Sequence, residues 1–320
     1  MHSIDKNTPT AEISSLVPLD TAQLRMKDGA VIFIRRTNEH KTRRIILSHG
    51  NGLAINGYEE FWQHLLPEAE LILFDFRNHG VNPQTAPSSR NNWEFFVSDM
   101  DEILHFIDTR YGKKPTYGVF HSMSALTSLI YTSRYHYPWT GLVLFEPPAV
   151  PAQGPERNET LDIHIELSAR TYKRRSEFPK PEHLAQSLAR LLMFQRMHAR
   201  ALLQLAASTL RQTAQGTYEL SCPPAFEANT FAINKLTAHW EDLAKINCPV
   251  LIVSSAPEDS DMPVLAKICL RLAQEFGFPH VVLRDAGHMV QLDHPQTCAR
   301  LVIDLMNKTS ASARARSAES

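Results

Sequence analysis

The chain lacks a net charge: its 33 basic and 34 acidic side chains nearly cancel over 320 residues, so no global field points to nucleic acid or an anionic membrane surface as the principal partner. It also lacks any apolar run approaching the roughly 20 residues a membrane helix needs. The opening stretch, MHSIDKNTPTAEISS, has neither the basic flank nor the apolar segment of a secretory leader. A soluble, cytoplasmic protein with a small-molecule partner is expected. Cysteine is scarce, with four in all (Cys222, Cys248, Cys269, Cys298), far apart and without the close CxxC spacing of a zinc or redox site. They read as reduced, mostly buried thiols. No repeat period is visible. What the chain does have is a 43% hydrophobic content, enough for a sizeable core.

Short β-branched runs alternate with longer amphipathic ones, the pattern of a mostly parallel sheet covered by helices on both faces. Residues 24–36, with Asp28-Gly29 at their centre, predict an opening hairpin. Six further runs, RRIILSHG, ELILFDF, TYGVFH, GLVLFEP, PVLIVSS and HVVLRDAG, predict strands that end in polar or glycine-containing loops. Between them YEEFWQHLL, NWEFFVSDMDEILHFIDTRY, SALTSLIYTSRYH, MPVLAKICLRLAQEFG and HPQTCARLVIDLMNK carry helical spacing, as in Phe96, Met100, Ile103 and Ile107.

The alternation fails over residues 147–240, which contain no convincing strand, only proline-bounded helical stretches. This segment is expected to be a helical cap lying over one end of the sheet. The expected organisation is therefore a flexible segment 1–20, a core of 21–146 and 241–308, the cap 147–240, and a disordered polar tail 309–320. The cap's leucine stripe (Leu188, Leu191, Leu192, Leu202, Leu203, Leu210) reads as packing. Its Phe178, Met193, Phe194, Met197, Phe226, Phe231 and Trp240 could wall an apolar pocket.

In such a sheet, reactive groups gather at the carboxyl ends of the strands. Those ends carry SHGNG (48–52), DFRNHG (75–80), HSMS (121–124), EPP (146–148), PEDSD (257–261) and DAGH (285–288). A serine, an acid and a histidine follow in chain order. With these motifs the chain resembles the α/β-hydrolase superfamily over nearly all of residues 20–308, in particular its serine-nucleophile esterase and lipase group. HGNG looks like the family's oxyanion loop, DFRNHG like its DxRGxG stretch, and PVLIVSSAPEDSDMP and DAGHMVQLDHP like its acid and histidine loops.

The resemblance implies an α/β-hydrolase fold with no cofactor and no metal. It assigns Ser122 as nucleophile, His288 as general base and Asp259 as the orienting acid, with Asp261 and Glu146 as alternatives and Glu258 within a one-residue loop shift. The backbone N–H groups of Met123 and Asn51, the latter preferred over Gly52, would form the oxyanion hole. His49 and His79 are expected to support loop backbone, Arg77 to pair with an interior carboxylate, and His294 to start a helix.

One departure from the family pattern stands out. GxSxG has small residues two places either side of the nucleophile; here Ser124 fits and Phe120 does not. Ser124 as the nucleophile would spoil the other side, with Leu126 two places on. The expected activity is hydrolysis of an ester or related acyl bond of a small, largely apolar substrate through an acyl-enzyme. Thioester, lactone, amide or C–C hydrolysis, and perhydrolysis, stay open on the same triad, as do a lipase and a non-catalytic small-molecule receptor with this fold. An aspartate at the elbow, which epoxide hydrolysis and dehalogenation use in this superfamily, is absent at 122.

Overall fold

Residues 24–36 form the expected hairpin, extended at both ends: β1 (Asp20–Arg25) pairs antiparallel with β2 (Val31–Thr37). The turn holds Gly29 at φ 90°, a conformation that glycine adopts without steric penalty. The computed structural model describes residues 20–85, 92–232, 236 and 239–318, with side chains through 311. Apart from Asp20, the N-terminal segment lies outside the described residues.

The predicted strands follow as β3 (Arg44–Leu47), β4 (Glu70–Phe74), β5 (Thr116–His121) and β6 (Trp139–Phe145), interleaved with α1 (Glu59–Trp62), α2 (Asn92–Tyr111) and α3 (Met123–Arg134). The first of these helices is shorter than its sequence pattern implied. Only one α-helical turn forms, flanked by 3-10 turns at Ile55–Tyr58 and Gln63–Leu65.

After β6 the chain runs through α4 (Pro155–Tyr172), β7 (Glu177–Phe178), α5 (Pro181–Leu188), α6 (Ala199–Ser208), β8 (Leu210–Gln212), β9 (Tyr218–Leu220) and α7 (Pro224–Thr230). The three strands pair as a small antiparallel sheet, in the order β7-β9-β8, within a segment that read as purely helical. With two or three residues each, they are too short to show a two-residue hydrophobic period. The chain then closes with β10 (Val250–Ser255), α8 (Pro263–Phe276), β11 (His280–Leu283), α9 (Val290–Asp293) and α10 (Pro295–Ala318). This last helix corrects the expected disordered tail: it continues past residue 308 to Ala318. The reason lies in TSASARARSA, where alanine and arginine, both good helix formers, extend a helix already nucleated on the core.

The main sheet has eight strands in the order β1-β2-β4-β3-β5-β6-β10-β11, parallel from β4 to β11 and antiparallel at the opening hairpin and its junction with β4. Alternate residues serve two cores. Ile46, Ile72, Phe120 and Leu144 face one, with α2, α3 and α8; Leu47, Leu73, Val119 and Phe145 face the other, with α1 and α10. Burial on both faces is what makes the strand sequences nearly continuous in apolar residues.

The strand order reverses between β3 and β5, since β4 lies to one side of β3 and the next strand in the chain, β5, to the other. That crevice is where an open parallel sheet presents a site. The loop after β3 and the turn after β5 therefore meet there, carrying HGNG and HSMS respectively.

Candidate active site

Ser122 leaves the β5 ladder abruptly. Its N–H still donates to the Phe145 carbonyl across the sheet at 2.9 Å, yet its backbone turns to φ 51°, ψ −114° before α3 begins. A left-handed serine is strained by about 1–3 kcal/mol and persists only where its surroundings impose it. As the residue preceding α3 it could have been an ordinary helix cap, but its hydroxyl caps nothing. It donates instead to His288 Nε2 at 3.0 Å.

Ser124 stabilises the turn from below, its Oγ accepting from the His121 N–H and donating to the His121 carbonyl, both at 2.9 Å. Its burial in this role removes it as a nucleophile. Phe120 is accommodated by Gly118. The two residues share a face of β5, and a Cβ on Gly118 would come within 2.5 Å of the phenyl ring and 2.6 Å of Leu142 Cδ2. The ring lies over this vacancy, edge-on to Trp139 with centroids 5.9 Å apart. Gly118→Ala is therefore expected to cost about 1–3 kcal/mol by overpacking, read as a lower thermal midpoint. Combining it with Phe120→Leu should recover part of the loss, and an unchanged midpoint in the single variant would contradict the packing.

The carboxylate that faces the His288 ring is Glu146, not Asp259, which the sequence favoured as the acid. His288 Nδ1 faces Glu146 Oε2 at 3.3 Å. Asp259 is elsewhere: its Oδ2 accepts from the Asp285 N–H at 3.0 Å, and its carbonyl accepts from Arg196 at 2.7 Å. Asp261 Oδ1 accepts the backbone N–H of His288 at 2.7 Å rather than the ring, and Glu258 pairs with Arg284 at the surface.

The sheet order supplies the reason. Glu146 directly follows β6, which adjoins β5, whereas the 257–261 loop follows β10, one strand farther out. Glu146 repeats the geometry of Ser122, with its N–H donating to Val253 across the ladder at 3.0 Å and φ then turning to 48°. Fully buried, it accepts at Oε1 from the Ser255 N–H at 2.7 Å and the Ser255 hydroxyl at 3.0 Å, which leaves Oε2 for the imidazole. The aspartates instead hold the backbone of the histidine loop, helped by Gly287, where a Cβ would fall 2.3 Å from Asp261 Oδ1.

The β3 loop contributes backbone donors. The Gly52 N–H is taken by His79 Nε2 at 3.1 Å, and the Gly50 N–H by the Tyr58 hydroxyl at 3.2 Å. Among the described residues the N–H groups of Asn51 and Met123 have no acceptor, and both residues line the same cavity as Ser122 and His288. The Asn51 side chain is clamped from above, its Nδ2 donating to the Glu227 carbonyl of α7 at 3.0 Å.

Tyr58 was not legible as a site residue; in sequence it is one more aromatic of an amphipathic stretch. It anchors a buried relay. His121 Nε2 lies 2.9 Å from the His288 carbonyl, which can only accept, so the proton sits on Nε2 and His121 Nδ1 accepts from the Tyr58 hydroxyl at 2.7 Å. That hydroxyl in turn accepts from Gly50, joining three loops. Burial, reinforced by the neighbouring His288, holds the His121 imidazole well below its ordinary range and thus neutral.

The supporting residues follow the same logic. His49 donates from Nδ1 to the Gly50 carbonyl at 2.8 Å and accepts at Nε2 from the Phe76 N–H at 3.1 Å. His79 likewise donates to the Arg77 carbonyl at 2.8 Å. Burial lowers both imidazoles, that of His79 to about 3. Arg77 pairs with buried Asp99 through Nε at 2.7 Å and with Asp28 at 2.7 Å. His294 precedes α10, its Nε2 donating to the carbonyls of Arg284 and Asp285 at 3.1 Å.

The cavity over Ser122 measures about 450 Å³. Its walls include Phe178, Met193, Phe194 and Phe231 from the segment after β6, together with Leu188 and Leu191 of the leucine stripe. Met197 and Trp240 pack away from it, and Leu192 and Leu203 are exposed. All four cysteines are free, three of them buried. Among the described residues no group of three or more histidine, cysteine or acidic side chains could hold a metal ion, and no helix is long and apolar enough to cross a membrane.

A sequence profile of the alpha/beta hydrolase family matches residues 45–301. No curated protein matches the chain. Among solved structures, E-2-(acetamidomethylene)succinate hydrolase superposes with a TM-score of 0.71 at 19% identity, covering 91% of this chain and 100% of the other. An alpha/beta hydrolase from Novosphingobium aromaticivorans gives 0.70 at 17% identity, covering 91% and 99%. A thermophilic esterase from Thermogutta terrifontis gives 0.67 at 18% identity, again covering 91% and 99%. At these identities the likeness is one of fold.

Proposed function

Since the chain belongs to the alpha/beta hydrolase family, we propose that it is a serine hydrolase cleaving an ester or related acyl bond of a small, largely apolar substrate, with Ser122, His288 and Glu146 as its triad. The observation that carries this reading is the continuous contact from Ser122 Oγ to His288 Nε2, at 3.0 Å, and from His288 Nδ1 to Glu146, at 3.3 Å.

His288 Nε2 takes the Ser122 proton as the hydroxyl attacks the acyl carbon, and Glu146 stabilises the imidazolium that results. The unclaimed N–H groups of Asn51 and Met123 receive the developing oxyanion, the latter reinforced by its place in the first turn of α3. The leaving group departs with the proton from His288. Water, activated by the same imidazole, then resolves the acyl-enzyme. A cavity of about 450 Å³ suits a small ligand, and its leucine, methionine and phenylalanine walls suit an apolar one.

A non-catalytic receptor with this fold would be favoured if Phe120 distorted the serine turn; the ring seated over Gly118, with the turn intact, supports the hydrolase reading instead. In stopped-flow mixing with p-nitrophenyl butyrate, the protein should release a burst of nitrophenolate close to one equivalent per chain when deacylation is slow, and a fluorophosphonate should label Ser122 in every case. Failure of the fluorophosphonate to label Ser122 in folded protein would reject the acyl-enzyme.

A further inference from the structure

The cavity wall contains a buried polar side chain with an unpartnered ring nitrogen that is open to the cavity. His164, on the inward face of α4, is 4% exposed and lines the space shared with Ser122 and His288. Its Nδ1 donates to the Thr160 carbonyl one turn back, at 2.8 Å. That bond places the proton on Nδ1 and makes Nε2 an acceptor. Nε2 has no partner among the described residues, nor is it sealed within protein. Phe231 holds the ring edge-on, with centroids 5.8 Å apart. Burial, with a smaller contribution from His288, pulls the imidazole down to about 4, so it is neutral near pH 7.

The charged side chains of this wall have protein partners, and the unpartnered Asn51 Oδ1 is sealed within protein rather than open to the cavity. Arg174 Nη1 lies 2.8 Å from both carboxylate oxygens of Glu227, Arg175 is tied to the Glu177 carbonyl, and Arg170 pairs with Glu166 at the surface. His164 therefore differs from these neighbours: its Nε2 is an acceptor whose orientation is fixed by the Nδ1 bond to Thr160 and which is left free toward the cavity. A plain hydrocarbon ligand filling this part of the cavity would leave the nitrogen desolvated and unpaired, which is costly in a low-dielectric site. A ligand carrying a donor at that point would not.

We propose that His164 is a specificity-determining residue whose Nε2 accepts a hydrogen bond from a hydroxyl or amide N–H on the substrate, so that the substrate class is a donor-bearing acyl ester rather than a plain hydrocarbon one. This rests on the acyl-transfer reading above and adds to it which acyl compounds are taken.

The test uses p-nitrophenyl esters of C4 to C8 acids, each compared with the same chain carrying a hydroxyl at C3, C4, C5 or C6. At one position the wild type should favour the hydroxylated ester by roughly ten- to a hundredfold in kcat/KM. His164→Phe should bring that ratio close to one. His164→Gln, whose amide oxygen can accept, should restore part of it. No preference at any position, or a preference that survives in His164→Phe, overturns the proposal while leaving acyl transfer standing. If no ester is hydrolysed, the acyl-transfer reading fails, and calorimetric binding of the matched free acids to Ser122→Ala decides the role of His164. Tighter binding of a hydroxy acid that is lost with His164→Phe supports the role, and equal binding rejects it.

Discussion

Ser122→Ala is expected to lower kcat/KM for a nitrophenyl ester by about 10⁶-fold and to abolish labelling by a fluorophosphonate. In the proposed mechanism the hydroxyl oxygen is the reacting atom, and among the described residues its only side-chain hydrogen bond is to His288 Nε2 at 3.0 Å. His288→Ala should fall to a similar level, because a serine without its base is a poor nucleophile and the base without its serine has nothing to activate. The double variant should consequently be no slower than either single one. Residual turnover above about 1% in Ser122→Ala, or losses that multiply in the double variant, would move the chemistry to another group. Fold is not at stake in the serine variant: the hydroxyl caps no helix and lies at the cavity surface.

The second large effect separates two carboxylates. Glu146→Gln should reduce kcat by about 10⁴-fold, with little change in KM. The replacement keeps the shape and reverses the hydrogen bonding. Ser255 presents an N–H and a hydroxyl to Oε1 at 2.7 and 3.0 Å, so the glutamine oxygen stays on that side and its amide N–H faces His288 Nδ1. The imidazole must then carry its proton on Nε2, directed at Ser122, where it cannot act as a base. Asp259→Asn should change kcat by less than about threefold, because the Asn carbonyl still accepts the Asp285 N–H that Asp259 holds at 3.0 Å. The opposite ranking, with Asp259→Asn crippled and Glu146→Gln active, would return the acid to the loop after β10. Both variants can be assayed on one ester in one buffer, and melting curves separate lost chemistry from lost fold.

The ranking of acids is also where reading the chain linearly met its limit. Glu146 and Asp259 both follow a predicted strand, in GLVLFEP and PVLIVSSAPED. Nothing in either stretch says which strand lies beside β5. That adjacency comes from the order β5-β6-β10, a property of the assembled sheet. The serine turn was different, because strand, serine and helix are contiguous in TYGVFHSMSALTSL and the signal is local. Phe120 falls between these cases: the gap it fills was written two residues earlier as Gly118, and only the pleat, which places both on one face, joins them.

The sequence by itself determined the alternation of strands and helices in a parallel sheet and the abrupt strand-to-helix turn at Ser122, since each is encoded by neighbouring residues through hydrophobic period and turn chemistry, while the HGNG and His288 loops were marked by family resemblance. Tertiary structure alone decided that Glu146 faces His288, that Tyr58 joins three loops through His121, and that His164 opens onto the cavity. Each of these joins residues from elements far apart in the chain, and hydrogen bonds of about 3 Å are set by how strands are ordered and how the segment after β6 folds back, not by spacing along the chain.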